Sequence, residues 1–204
     1  MLGSLPLSEV RGPKGDLDEK LAGSEGEMWL TAFKRFLRKE NPWMVAKFSV
    51  RWVVTLGLHK TPKAYEQALE SSDFKISNFA LDILKKVTCS KEQTKIYLTS
   101  ATVAELGFTG GCSTRELHTA IVSQGGQLCP SEVGPALRLA LNDQQKNEWL
   151  WLAMEAVSDS DGDFLVFSIE HDGGDLWLST AYGHPDDHWD PDSRVVFVLP
   201  AQVS

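Results

Sequence analysis

The spacing of apolar residues changes near Trp149, and this change constrains the fold more than any other feature of the chain. Upstream, apolar residues recur three and four positions apart, which is the period of an amphipathic helix. Downstream come four short runs rich in aromatic and aliphatic residues, EWLWLAMEAV, FLVFSIEH, DLWLSTAY and RVVFVLP, separated by Asp, Gly and Pro. Such runs are typical of an antiparallel meander. The sequence therefore predicts an α+β fold in which a helical N-terminal and middle part packs on a C-terminal antiparallel β-sheet.

Capping and turn residues mark the predicted elements before this change. A helix with Trp29, Phe33 and Phe36 on one face ends before Pro42. Ser113 and Glu116 have the spacing of a capping box, which predicts a helix start. The other predicted elements are helices over 61–71, starting with Thr61 and Pro62, over 77–86, and from Ser131 onward with Gly134–Pro135 inside it, and strands over 46–57 and 94–101.

The length of 204 residues is sufficient for one domain with its own core. Residues 1–24 are rich in Gly, Ser, Pro and charge, and we predict a flexible leader with a short helix at 16–21. Residues 25–204 are predicted to form a single α+β domain, helix-rich over 25–141 and a meander over 148–200. No apolar run reaches the roughly 18 residues of a membrane span, and no secretory signal is recognisable. The three cysteines form no CxxC pair, so we expect reduced thiols in a cytoplasmic protein.

The net charge of −8 is distributed unevenly along the chain. Residues 150–204 contain eleven Asp and Glu against Arg194 alone, which gives −10, whereas residues 1–149 carry +2. A block of like charge is typical of a solvated surface. This surface would repel nucleic acid and anionic membranes, because like charges oppose approach within a Debye length of about 10 Å.

Several stretches resemble motifs of uncharacterised bacterial proteins. These are LCPSEVGPALRLAL, of the form LCPxEVGPxLRL, the acidic run that follows EWLWLAMEAV, and the C-terminal RVVFVLP. The similar proteins also carry a helix like GEMWLTAFKRFLRKENPW near the start, and the similarity extends over most of the chain after residue 25. The resemblance implies a bacterial cytosolic protein and assigns no activity or catalytic residue.

The stretch DSDGDFLVFSIE has part of the pattern of a calcium-binding loop. Asp159, Asp161 and Asp163 fill its first three ligand positions and Glu170 its twelfth. The sixth position requires the positive φ that glycine adopts, but Phe164 occupies it. An Asp–Gly pair is also typical of a β-hairpin turn. We therefore favour a hairpin and keep a calcium site as the alternative.

The stretch GHPDDHWDPD places His184 and His188 four residues apart. On a helical turn this spacing lets two imidazoles share a metal ion. The further ligands would come from His171, Asp186, Asp187 or Asp190. Asp and Pro also favour turns, because Asp hydrogen-bonds the following backbone and Pro fixes φ. We favour a loop in which Trp189 folds back onto the sheet.

Residues 26–60 interleave basic and aromatic side chains, as single-strand nucleic-acid binders do. The basic candidates are Lys34, Arg35, Arg38, Lys39 and Arg51. The helical spacing disfavours this hypothesis, because it places the aromatic residues on a buried stripe and the basic ones on its solvated back.

The sequence contains no complete set of residues for acid–base, nucleophilic or metal chemistry. We therefore expect a non-enzymatic cytosolic interaction or accessory protein that needs no cofactor, has another protein as its partner and does not bind membranes. One alternative is a metal-dependent hydrolase or nuclease that uses the His/Asp loop. The other is a nucleic-acid-binding protein that uses residues 26–60.

Overall fold

The computed structural model describes residues 7–37 and 48–200. Contacts between Cα atoms divide the chain into two compact units, residues 1–45 and 46–204. The sequence predicts a boundary after residue 24 instead, because only the segment beyond it has an apolar period. Within the described ranges, no helix is both long enough and apolar enough to cross a membrane.

The described part of the first unit consists of two helices, α1 (Leu7–Ala22) and α2 (Gly26–Leu37). Helix α2 is the predicted amphipathic helix, but its predicted apolar face is only partly covered: Trp29 and Phe33 are half-buried, whereas Phe36 is 62% exposed. Helix α1 occupies most of the predicted leader, where few apolar residues and an internal Pro13 indicated only a short helix. The Lys20 ammonium lies 4.3 Å from the centre of the Trp29 ring, and this cation–π contact joins the two helices.

The described part of the second unit contains four helices and ten strands. The helices are α3 (Pro62–Ser71), α4 (Asn78–Leu84), α5 (Thr114–Ser123) and α6 (Val133–Ala140). The strands are β1 (Trp52–Leu56), β2 (Lys75–Ile76), β3 (Thr94–Thr102), β4 (Cys112–Ser113), β5 (Trp149–Leu152), β6 (Val157–Ser158), β7 (Phe164–Asp172), β8 (Asp175–Tyr182), β9 (His188–Trp189) and β10 (Arg194–Leu199).

Eight of the strands form one mixed sheet with the order β1–β3–β10–β5–β7–β8–β2, and β6 pairs with the start of β7. Most neighbours are antiparallel, but β10 runs parallel to β5 and β2 runs parallel to β8. Strands β4 and β9 form a separate two-stranded ribbon. The predicted α+β class is confirmed.

The prediction of a purely antiparallel, C-terminal sheet is wrong. Strands β5, β7 and β8 do follow one another as an antiparallel meander, but β10 crosses back to lie between β3 and β5. The residues from Val195 to Leu199 are all buried, and a continuous apolar run of this kind needs neighbours on both edges and cover on both faces. The meander can give β10 one neighbour, at the free edge of β5. The second neighbour of β10 is β3, which comes from the middle of the chain.

The predicted capping residues are confirmed at two helices. The Thr61 hydroxyl accepts a hydrogen bond from the Ala64 N–H at the start of α3. At α5 the Ser113 hydroxyl accepts from the Glu116 N–H, while the Glu116 carboxylate accepts from the Ser113 N–H at 2.9 Å. These bonds depend only on neighbouring residues, so the sequence is sufficient to predict them.

Helix α6 begins at Val133, two residues after the predicted start. Pro135 lies in its first turn, where a missing N–H costs no helical hydrogen bond. Gly134 is required by packing, because a Cβ built there would lie 2.5 Å from Cδ2 of the buried Phe167 in β7. The missing side chain therefore sets how closely α6 approaches the sheet.

Glu132, directly before α6, is a buried carboxylate with four hydrogen-bond donors. Its Oε1 accepts from the Gly57 N–H and the Tyr65 hydroxyl, each at 2.8 Å. Its Oε2 accepts from the N–H and hydroxyl of Ser90 at 2.7 and 2.6 Å. Burial alone would raise the pKa of Glu132, but these hydrogen bonds outweigh it and hold the pKa below its usual value. One charge therefore joins the end of β1, helix α3, the loop before β3 and the start of α6.

Arg138, in the last turn of α6, is a fully buried guanidinium. It donates to the Gln144 side chain at 2.7 Å, and to the carbonyls of Leu141, Glu170 and Trp177. No carboxylate within the described ranges forms an ion pair with it. Burial lowers the pKa of Arg138 to about 10, so the group is still charged at neutral pH.

Replacing Gly134 with alanine should destabilise the second unit, although alanine is normally better than glycine in a helix. The new methyl group would overlap the fully buried ring of Phe167. We expect a loss of about 2 kcal/mol in the free energy of unfolding, measured by urea titration. Alanine at Ser123, an exposed position of α5, is the control. A stability equal to that of the wild type would contradict the packing.

Replacing Glu132 with glutamine should cost about 3 kcal/mol of unfolding free energy at pH 7, because buried donors lose their acceptor. The folded-state pKa lies below the unfolded one, so this contribution is present above the unfolded pKa and is lost as the pH falls through the folded value. The difference between wild type and E132Q should therefore shrink as the pH approaches 3. Glutamine at the exposed Glu92 is the control, and a pH-independent difference would refute the assignment.

Candidate functional site

The loop 183–192 is fixed to the first turn of α5. The Thr114 N–H donates to the Asp187 carbonyl and the Arg115 N–H to the Pro185 carbonyl, both at 3.0 Å. Strand β9 pairs with β4, directly before α5, with Trp189 opposite Cys112. The N–H groups at the start of a helix have no partner within the helix, and the loop carbonyls satisfy two of them.

Trp189 anchors the loop in the core. Its side chain is buried, and its Nε1–H donates to the Thr114 hydroxyl at 2.8 Å. Its ring centre lies 6.0 Å from that of Trp151, which in turn lies 6.2 Å from that of Trp149, and both ring pairs are T-shaped. This geometry is favoured by the ring quadrupoles. The predicted return of Trp189 onto the sheet is confirmed.

A pocket of about 340 Å³ opens where the loop meets the sheet. It combines three aromatic side chains with two carboxylates and a histidine, and we call it the aromatic–acidic pocket. Its lining residues are Trp151, Ala181, Tyr182, Asp187, His188, Trp189, Asp190 and Ser193.

The two carboxylates of this pocket differ in how they are held. Asp187 accepts a hydrogen bond from the His184 N–H at 2.7 Å and so stabilises the turn. Asp190 is exposed, and the His188 imidazole lies 3.9 Å from its carboxylate. In the part of the chain that the structure describes, neither carboxylate forms an ion pair with Lys or Arg. Their negative charge is therefore available to a ligand.

The same face of the sheet continues away from the pocket as a row of aromatic and acidic side chains. Trp149 lies directly opposite Glu170 on β7, and Glu170 lies directly opposite Trp177 on β8. Directly paired residues point to the same face, and Trp151 lies on it because it is two residues from Trp149. The Glu170 carboxylate accepts from the Ser168 hydroxyl at 2.6 Å, and Trp149 is 47% exposed. We call the pocket and this row together the aromatic–acidic face.

A second pocket, of about 390 Å³, lies on the other side of the loop. It is lined by Thr114, Arg115, His118, Thr119, Glu155, Ala156, Phe164, Gly183 and Pro185. Burial lowers the pKa of His118 despite the opposing charge of Glu155. Arg115 is already paired with Asp186 at 3.2 Å. The guanidinium of this pocket is therefore already paired within the protein.

The structure places His184 in a loop and His188 in strand β9, and not on the helical turn that a shared metal site would require. His184 packs against the Phe164 ring with centres 5.6 Å apart, whereas His188 lies in β9 and lines the aromatic–acidic pocket. His171 lies near the tip of the β7–β8 hairpin, where it pairs with Leu176. Six residues of extended strand separate Leu176 from Tyr182, where the loop begins, so His171 is about 20 Å from the loop at about 3.3 Å per residue. Within the described ranges, no three His, Cys, Asp or Glu side chains are grouped closely enough to hold a metal ion.

The predicted hairpin at residues 159–163 is confirmed. Strand β6 pairs with β7 across this turn, and the Asp159 carboxylate accepts from the N–H groups of Asp161 and Asp163 at 3.0 and 2.9 Å. Glu170 is seven residues beyond Asp163 along an extended strand, roughly 20 Å at about 3.3 Å per residue. The structure therefore does not bring the four predicted calcium ligands together.

The basic segment 26–60 is described only in part. Lys34 is exposed on α2, and the Arg51 guanidinium donates to the Ser100 hydroxyl at 2.6 Å while it lies over the Trp52 ring. The Arg35 side chain and all of Arg38 and Lys39 lie outside the described residues. Nucleic-acid binding by this segment stays a hypothesis.

Comparison with known proteins gives no match for this chain among protein-family models, curated proteins or solved structures.

Sequence reasoning named Asp187 and His188 but missed the aromatic half of the site. The missed residues are Trp149, Trp151, Trp177 and Tyr182. A signal was present in the WLWL run of β5, because residues two apart on a strand share a face. The cross-strand register that aligns Glu170 with two tryptophans had no sequence signal.

Replacing Thr114 with valine should loosen the loop, because the buried Trp189 N–H would lose its acceptor. We expect a loss of about 1–2 kcal/mol in unfolding free energy, together with a change in tryptophan fluorescence of the folded state. Valine at Thr119, which is exposed on the same helix, is the control. Equal effects of the two substitutions would contradict the role of the hydrogen bond.

Proposed function

We propose that this chain is a non-catalytic interaction protein that binds a positively charged partner protein through its aromatic–acidic face. The observation that carries the proposal is the alignment of Trp149, Glu170 and Trp177 in one cross-strand row that leads into the pocket. A carboxylate between two indole rings suits a guanidinium or ammonium group, because both ring faces and the carboxylate attract a cation.

The charge of the surrounding segment supports this choice of partner. Residues 150–204 carry a net charge of −10, so their field attracts basic proteins and speeds their encounter. The pocket carboxylates Asp187 and Asp190 extend the acidic surface, and Tyr182, which lines the same pocket, is 65% exposed. Exposed aromatic side chains of this kind are enriched where proteins bind one another.

The proposal also requires that helix α6 does not cover the row of Trp149, Glu170 and Trp177. We infer that α6 packs on the opposite face. Gly134 on α6 faces Phe167. Ser168 pairs with Trp151 and so lies on the face of the tryptophan row. Neighbouring residues of a strand point to opposite faces, so Phe167 and α6 lie on the other face. Arg138 on the same helix bonds the carbonyls of Glu170 and Trp177.

The test uses fluorescein-labelled octa-arginine as a defined cationic probe, with octa-glutamate as the negative control. A double variant with Glu170→Gln and Asp190→Asn keeps side-chain shape and removes two charges. We expect its Kd for octa-arginine to rise at least fivefold, which corresponds to about 1 kcal/mol. Binding by the wild type should weaken between 50 and 300 mM salt, because ions screen the attraction.

The matched control is a double variant with Asp172→Asn and Asp175→Asn, at the exposed tip of the β7–β8 hairpin. It makes the same change in net charge outside the pocket and should change the Kd less than twofold. Equal losses in both double variants would show that only net charge matters. That result, or no binding of octa-arginine at low salt, would refute the proposed face.

A further inference from the structure

Strand β1 lies at the outer end of the eight-stranded sheet, with β3 on one side only. Along a strand, peptide N–H and C=O groups alternate in direction, so half of those in β1 point away from β3. Within the described ranges, no other strand pairs with this outer edge. Each such group is a strong donor or acceptor that another extended chain would satisfy.

Within residues 48–200, this edge carries none of the usual protection against strand pairing. Natural edge strands carry lysine, proline or a bulge, or are covered. The sequence of β1, WVVTL, contains neither lysine nor proline, and Val53 is 49% exposed. Leu58, just beyond the strand, is 55% exposed.

An apolar groove of about 500 Å³ runs beside this edge, between β1 and the helices α3 and α6. Small residues on the helices, among them Ala68 and Ala136, leave the space open, and Leu139 forms part of the wall. No Asp, Glu, Lys or Arg lines the groove. Seven of the twelve lining residues are apolar, and the other five are Thr55, His59, Tyr65, Ser71 and Ser72, so apolar side chains suit most of its surface.

The walls of the groove are held together by one buried carboxylate. Glu132 precedes α6 and accepts hydrogen bonds from Tyr65 in α3 and from Gly57 at the end of β1. Because the three walls are fixed to each other before anything binds, little conformational entropy is lost on occupation. The groove is therefore preorganised.

We propose that this edge binds an extended, apolar segment of another protein, which adds as a strand beside β1 and places alternate side chains in the groove. The unpaired peptide groups select a backbone in the β conformation, and the uncharged lining selects its apolar side chains. This second binding site goes beyond the aromatic–acidic face and requires no positive charge on its ligand.

The test begins with a phage-displayed library of random octapeptides, selected on the immobilised full chain. We expect enriched sequences with apolar residues at alternate positions. An enriched octapeptide is then synthesised with acidic flanks, which keep it from the aromatic–acidic face, and its Kd is measured by fluorescence anisotropy. Replacing Ala68 with leucine fills the groove and should raise this Kd at least tenfold.

The matched control is Gln67→Leu, which adds the same side chain to an exposed position of α3 outside the groove. It should change the Kd less than twofold, and both variants should keep the melting temperature of the wild type. The double variant with Glu170→Gln and Asp190→Asn should bind the octapeptide as the wild type does. A failure of this proposal can therefore be distinguished from a failure of the proposed function.

Backbone pairing is tested by methylating alternate amide nitrogens of the octapeptide. Methylation in one register should abolish binding and methylation in the other should be tolerated, because only alternate N–H groups face β1. Equal tolerance of both registers would overturn strand addition. So would a library without enrichment, an Ala68→Leu variant of unchanged affinity, or a concentration-dependent dimer that this variant dissociates, since a second copy would then be the occupant.

Discussion

The buried Glu132 carboxylate is the interaction on which the second unit depends. An isolated charge in the core is costly, but four donors from three separate segments compensate this one. The donors would in turn be unsatisfied without the carboxylate, so β1, α3, α6 and the loop before β3 hold one arrangement. The groove beside β1 follows from that arrangement.

Helix α6 carries a second buried charge of opposite sign near its other end. Glu132 at the start and Arg138 in the last turn both have the sign that the helix dipole favours. Neither is paired with an opposite charge in the described part of the chain; each is held by hydrogen bonds from or to uncharged groups. The bonds of Glu132 reach β1 and α3, and those of Arg138 reach β7 and β8. Both ends of α6 are therefore hydrogen-bonded to the sheet.

The local elements of the second unit were largely predictable from sequence, whereas the sheet was not. Thr61 and Ser113 cap helices through bonds to residues three positions away, and these depend on no distant contact. The position of β10 depends on which strands have free edges, a property of the assembled sheet. Its uninterrupted apolar run, VVFVL, was a signal of a central strand, but it does not say which neighbours the strand will have.

By itself the sequence determined the α+β class, the starts of helices α3 and α5, the hairpin at 159–163 and the concentration of negative charge after residue 149. All of these follow from the identity and spacing of nearby residues. The tertiary structure alone decided that His184 packs against Phe164 while His188 lines the aromatic–acidic pocket. It also decided that Glu170 lies between Trp149 and Trp177, and that the edge of β1 borders a groove. These features arise from contacts between residues far apart in the chain, because strand register and packing bring together side chains that no local pattern relates.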